Sequence, residues 1–101
     1  MKRFVVLLAS LLAVPALASA APITAGGPAL AQACAACHGP GGRSQGAIPS
    51  LDRLPPEDFR AAMQAFRTEE RRGTVMNRIA KGLSEASIEA VVAYFARVQA
   101  R

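Results

Sequence analysis

Cys34-Ala35-Ala36-Cys37-His38 is the stretch on which the reading of this chain turns. It sets two thiols three positions apart and an imidazole next to the second. Positions i and i+3 of a helix share a face, so in a helix both sulfurs leave on one side with the imidazole beside them. The flanking residues favour that helix. Pro28 suits a first helical position, where its missing N–H costs nothing. Ala29 to His38 is rich in alanine, the best helix former. Gly39-Pro40-Gly41-Gly42 then predicts a firm stop. Residues 39 to 54 are rich in Gly, Pro and Ser and read as loop, with Ile48-Pro49-Ser50-Leu51 near its end.

Three more helices are expected downstream. Pro55-Pro56 opens one that runs to about Thr68, with Glu57 and Asp58 in the first turn to suit the helix dipole. Phe59, Met63 and Phe66 fall on its single apolar stripe. Glu69-Glu70-Arg71-Arg72-Gly73 breaks the pattern and reads as a solvated turn, or else as a charged docking rim. Thr74 is a candidate cap for a short helix, Val75 to Lys81, ended by Gly82. Ser84 caps a last helix whose inner face is Ile88, Val91, Val92, Phe95 and Val98. No segment alternates with period two for long, so the fold class is all-α.

The first twenty residues read as an export signal. Met1-Lys2-Arg3 is a short basic start, and Phe4 to Val14 is an apolar run of eleven residues. A membrane-spanning helix needs ~20 such residues. Ala18 and Ala20 fit an A-x-A cleavage site, which leaves residues 21–101 as one domain exported to the periplasm with no stable membrane insertion. Removal of Lys2 and Arg3 leaves ten basic against seven acidic side chains, a net charge of +3. That density, with one Tyr, four Phe and no Trp, does not suit nucleic acid.

A domain of about 80 residues builds a marginal core without a staple. Cys34 and Cys37 are the only cysteines and enclose only two residues, so they cannot supply a long disulfide loop. The C-x-x-C-H pattern instead predicts covalent haem attachment: the sulfurs reach the two vinyl groups on one porphyrin edge, and His38 reaches the iron. A redox dithiol of the thioredoxin type needs strands this chain lacks. A structural zinc site needs four N or S ligands, and the chain has two Cys and one His. The expectation is one haem c, held by Cys34, Cys37 and His38. His38 being the only histidine, methionine is the natural second axial ligand. Met63 sits on an apolar stripe, where Met usually fills space. Met76 follows a charged loop and is the favoured ligand, with Met63 and an open or solvent-bound distal position as the other possibilities.

CAACHGPGGRSQGAIPSL resembles the haem-binding half of class I cytochromes c. The resemblance implies that the Pro49 carbonyl accepts the proximal His38 N–H and that Leu51 packs on the ring. RRGTVMNRIAKGLSEASIEAVVAYFARVQ resembles the family's ligand-methionine segment and last helix. It supports Met76 as distal ligand, and Tyr94 or Phe95 as the aromatic where first and last helices cross. AMQAFRTEERRGTVMNRIAKGLS is similar to the branch containing the cytochrome subunit of flavocytochrome c sulfide dehydrogenase. The implied function is one-electron transfer by a periplasmic monohaem cytochrome, not catalysis. It would act as acceptor or subunit for a flavoprotein dehydrogenase in sulfide oxidation. The alternatives are a free carrier to a terminal oxidase, or a haem enzyme or gas sensor with an open distal site. Arg43, Arg67, Arg71, Arg72, Ser44 and Gln45 are candidates for contact with haem propionates.

Overall fold

A computed structural model describes residues 15–17 and 26–101. The export signal and its cleavage site lie almost wholly outside the described residues. From Gly26 on, four α-helices follow in order: α1 (Gly27–His38), α2 (Pro56–Arg67), α3 (Met76–Gly82) and α4 (Glu85–Gln99). A 3-10 turn at Pro40–Gly42 follows α1. No strand occurs among the described residues, so the all-α expectation holds. None of the helices is long and apolar enough to cross a membrane.

The sequence signals account for most of the boundaries. α1 begins at Gly27, one residue before the expected Pro28, and ends at His38 with Gly39 at φ 94°. α2 starts at Pro56 with Glu57 and Asp58 in its first turn. Ser84 caps α4 as expected, its hydroxyl accepting the Ser87 N–H at 3.1 Å. The start of α3 differs. Thr74 is not its cap; Val75 holds that position at φ −129°, with no side-chain hydrogen bond. Gly82 is the last residue of α3 rather than a stop beyond it, and Leu83 follows in extended conformation.

α4 is the element around which the rest is packed. Its Ile88, Val91, Val92 and Phe95 are at most 3% exposed, while Val98 is only half-buried. α1 packs on one side of α4 and α2 on another, and α3 packs on α2. The predicted stripe of α2, Phe59, Met63 and Phe66, is buried in the same core. Phe59 stacks on Phe95 with ring centroids 5.8 Å apart, and Tyr94 meets Phe95 edge-on at 5.3 Å. Each buried Phe contributes about 1.5–3 kcal/mol through removal from water.

Two polar devices fix α2 on α4 at the rim of this core. Arg60 donates from Nε to Glu89 Oε1 at 2.6 Å and from its terminal nitrogen to Oε2 at 2.9 Å. One turn on, Gln64 and Arg67 both donate to Glu85. These pairs are exposed and individually weak, but they act at one helix–helix seam, where they set register.

The crossing of α1 and α4 depends on glycine. A Cβ on Gly27 would lie 2.6 Å from the Ala90 carbonyl oxygen and 3.2 Å from Tyr94 Cβ. The two backbones therefore meet where only hydrogen fits. Tyr94 is the aromatic at this crossing, while Phe95 reaches inward towards the glycine turn.

Gly27→Ala is expected to lower stability by about 1–3 kcal/mol, the cost of overpacking a closed contact. Gly46→Ala, where nothing lies within 4 Å of the new carbon, should stay within about 0.5 kcal/mol of the parent. Denaturant midpoints of the two variants check both values.

The Arg60 hydrogen bond, reinforced by its charge, holds the Glu89 carboxyl below the ordinary carboxylate range despite some desolvation. A carboxylate depressed by folding contributes stability above its unfolded pKa and loses it as pH falls through the folded value. A double-mutant cycle with Arg60→Met and Glu89→Gln should therefore show coupling at about pH 7 and none at about pH 2. Equal coupling at both would reject the ion pair as its source.

Candidate haem site

The site begins where α1 ends. Gly39 donates its N–H to the Ala35 carbonyl at 2.9 Å and closes the helix. The chain then reverses through Gly41 and Gly42, both at positive φ (63° and 79°). Gly42 has a second requirement: a Cβ there would stand 2.6 Å from the Phe95 ring. Its carbonyl accepts the N–H groups of Leu51 at 2.7 Å and Asp52 at 3.3 Å. Ser44 donates its N–H to the Ser50 hydroxyl at 2.9 Å. Residues 43–51 thus form a loop pinned at its base, with Pro49 just inside the pins.

That loop turns the Pro49 carbonyl to the motif histidine. His38 Nδ1 lies 2.5 Å from Pro49 O. A carbonyl can only accept, so Nδ1 carries the proton and Nε2 is left with its lone pair as a donor to metal. The hydrogen bond therefore selects the tautomer as well as the ring orientation.

The two thiols of α1 stand in different surroundings. Cys34 is half-buried and packs against the core, and Cys37 is exposed; neither is in a disulfide. Burial pushes the Cys34 thiol up from its usual range, against a smaller opposite effect of a backbone hydrogen bond. Cys37 lines a cleft of about 480 Å³ between the end of α1 and residues 44–48. Neither His38 nor Met76 lines that cleft, so it borders the histidine side and does not form a ligand pocket by itself.

The two methionines are separated by burial. Met63 is 6% exposed and is part of the core. Met76, the first residue of α3, is half-buried and packs against that core from its edge. Leu51 is buried in the same cluster, with Leu54 at its margin. Cys34, Leu51 and Met76 thus all border one apolar body.

Three large apolar side chains stay exposed on these segments: Ile48 at 45%, Val75 at 54% and Ile79 at 44%. Ile48 precedes Pro49, Val75 precedes Met76, and Ile79 lies one turn beyond it. Apolar groups left in water beside the candidate donors suit a large flat apolar ligand that would cover them. The donor set is of the same kind: two thiols on one helix face, an imidazole with Nε2 available, and a thioether. Among the described residues no three His, Cys, Asp or Glu side chains converge on a metal position. These residues fit a haem.

The polar residues expected near a haem are mostly engaged with the protein. Arg43 pairs with Asp52 at 3.3 Å, and Arg67 with Glu85. Ser44 donates its hydroxyl to the Gly46 carbonyl at 3.3 Å. Arg71 lies over the Phe66 ring, 4.8 Å from its centroid. The turn between α2 and α3 is exposed to solvent as expected, and within it Glu69, at φ 67°, pairs with Lys81 of α3. Sequence reasoning missed Asn77. Its side chain bonds Phe66, Arg71 and Gly73, contacts that leave no periodic trace.

Known proteins match this sequence. The chain is 39% identical over 69 residues to the cytochrome subunit of sulfide dehydrogenase from Chlorobaculum tepidum, covering 68% of this chain and 63% of that one. It is 35% identical over 83 residues to a thiosulfate dehydrogenase electron acceptor from Thiomonas intermedia, covering 79% of this chain and 38% of that one. The match therefore spans less than two thirds of either relative. Residues 21–95 match the family described as cytochrome C oxidase, cbb3-type, subunit III. With the four helices of its described residues, its glycine turn and its motif helix ending at His38, the chain belongs to this cytochrome c family and binds haem c.

Proposed function

We propose that this chain is an exported monohaem cytochrome that passes single electrons from a dehydrogenase of a reduced sulfur compound. The observation that carries the proposal is the 2.5 Å contact between His38 Nδ1 and Pro49 O. It supports His38 as the proximal ligand, because it leaves Nε2 aimed away from the loop as the free donor.

Haem, when bound, supplies an iron that gains and releases one electron. The chain's residues do the rest. Cys34 and Cys37 would hold the haem by thioether bonds, each thiol adding its S–H across one vinyl group with no net oxidation. Pro49 fixes the imidazole and makes it a stronger donor. Met76 would hold the iron through its thioether, a ligand type that raises the reduction potential relative to a second histidine. Leu51, with the apolar side chains at Ile48, Val75 and Ile79, excludes water, which disfavours added positive charge and raises the potential further. Residues 1–20 act as the export signal, cleaved near Ala20, and the working compartment is the periplasm.

The partner is read from the company its relatives keep. One relative is the cytochrome subunit of a sulfide dehydrogenase, and the other is the electron acceptor of a thiosulfate dehydrogenase. A flavoprotein dehydrogenase oxidising sulfide is the donor proposed here. A net charge of +3 after removal of the first twenty residues suits a transient protein encounter.

Met76→Ala is expected to keep the covalent haem and to lower the potential by more than about 100 mV, the effect of losing a thioether axial ligand. An unchanged potential in redox titration would reject Met76 as ligand. Cys34→Ala and Cys37→Ala should each sharply reduce mature holoprotein, read as haem-stained protein in the exported fraction. The partner is tested by co-purification from the native cell: a flavin-containing protein is expected in the complex or as the fastest reductant.

A further inference from the structure

Eight residues, 68–75, join α2 to α3 and carry the chain to Met76. Few backbone hydrogen bonds hold them. The Thr68 N–H reaches Gln64 O and the Arg71 N–H reaches Ala65 O, both still within the end of α2, while Val75 O accepts the N–H groups of Arg78 and Ile79 and so ties Val75 to α3 but not to α2. α3 has no side-chain cap, and Glu69 sits at a positive φ that costs energy for a residue with a Cβ. A segment so built does not by itself hold the first residue of α3 in place.

Asn77 does. Its Nδ2 donates to Phe66 O at 2.8 Å and to Arg71 O at 2.7 Å. Its Oδ1 accepts the Gly73 N–H at 2.9 Å. Both amide hydrogens and the amide oxygen are thus engaged, on α2 and at two points of the turn. Phe66 lies in the last turn of α2, where carbonyls lack helical partners. The side chain therefore binds α3 to the end of α2 across the loop. Asn77 is bonded directly to Met76, with Cα atoms about 3.8 Å apart, so anchoring one restricts the other.

We infer that Asn77 is the positioning residue for Met76: by clamping the turn to α2 it sets the fraction of molecules in which the thioether sits on the iron. This rests on Met76 being the distal ligand. The clamp acts on the balance between a Met-on and a Met-off form. An added small ligand competes only for the Met-off fraction, so its apparent affinity reports that fraction.

The test uses the ferric holoprotein and imidazole as the competing ligand. Asn77→Ala is expected to raise apparent imidazole affinity about tenfold or more, as three hydrogen bonds are lost together, and to weaken the long-wavelength sulfur-to-iron absorption band. Asn77→Asp keeps the side-chain shape and the acceptor for Gly73 but loses both donors. It should behave like the alanine variant, and it serves where Asn77→Ala reduces the yield of folded protein. A residue that only supported the fold would lower the melting temperature and leave imidazole affinity unchanged well below the melt. That outcome in either folded variant would overturn the inference. Met76→Ala in the same assay separates the two readings. If it too leaves the band and the affinity unchanged, the ligand assignment has failed; if it abolishes the band while the Asn77 variants match the parent, only the clamp has failed.

Discussion

The hydrogen bond from His38 to the Pro49 carbonyl is the constraint that the surrounding backbone serves. To make it, the chain must leave α1 and reverse within a few residues. It must then come back with one carbonyl facing the imidazole. The reversal uses Gly41 and Gly42 at positive φ, where side chains with a Cβ are strained. The return is pinned by Gly42 O, which holds the N–H groups of Leu51 and Asp52. Because the Phe95 ring fills the space beside Gly42, this loop is also seated on α4. The imidazole is thus referred to the core through one glycine, and a movement of α4 reaches His38 through a short path.

Much of this was legible in the residues before any coordinates. The stripe of Phe59, Met63 and Phe66 and the inner face of α4 follow from helical period, because burial demands one apolar side per helix. The Ser84 cap follows from a local rule, a hydroxyl satisfying an N–H three residues on. The contact at Pro49 was reached through family resemblance and not from spacing. Its eleven-residue separation from His38 is set by a loop with no repeat to read. Thr74 shows the limit from the other side. It has the right chemistry for a cap, but Val75 takes the position, and Asn77 satisfies the turn from inside α3. Side-chain bonds to distant backbone depend on where the chain has already gone, so no local pattern announces them.

The charged groups follow the same division. Arg60, Gln64 and Arg67 recur at helical spacing on α2, and Glu85 and Glu89 do so on α4. Each strip alone reads as a solvated face. Only the packing of α2 on α4 shows that the strips meet. At the other end, Lys81 and Glu69 close the turn outside Asn77, and Arg71 covers the Phe66 ring. These contacts lie in water and are individually weak. Their common effect is to oppose sliding at the seams, which apolar contact alone resists poorly because it is not directional.

The two halves of the candidate site share one core, and both are seated by way of α4. His38 is carried by α1 and its loop, which are seated at Gly27 against Ala90 and at Gly42 against Phe95. Met76 is carried by α3, which packs on α2, which is in turn held to α4 by Glu85 and Glu89. α4 acts as the common ruler. On the proposed ligation, Met76 would reach the iron only if the protein holds its sulfur in range. Two independent seams on one rigid helix hold two donors at a fixed spacing better than two loops could, since helix-borne positions vary less than loop-borne ones. On this argument the long buried face of α4, with Ile88, Val91 and Phe95 nearly closed to water, serves the site as much as it serves stability.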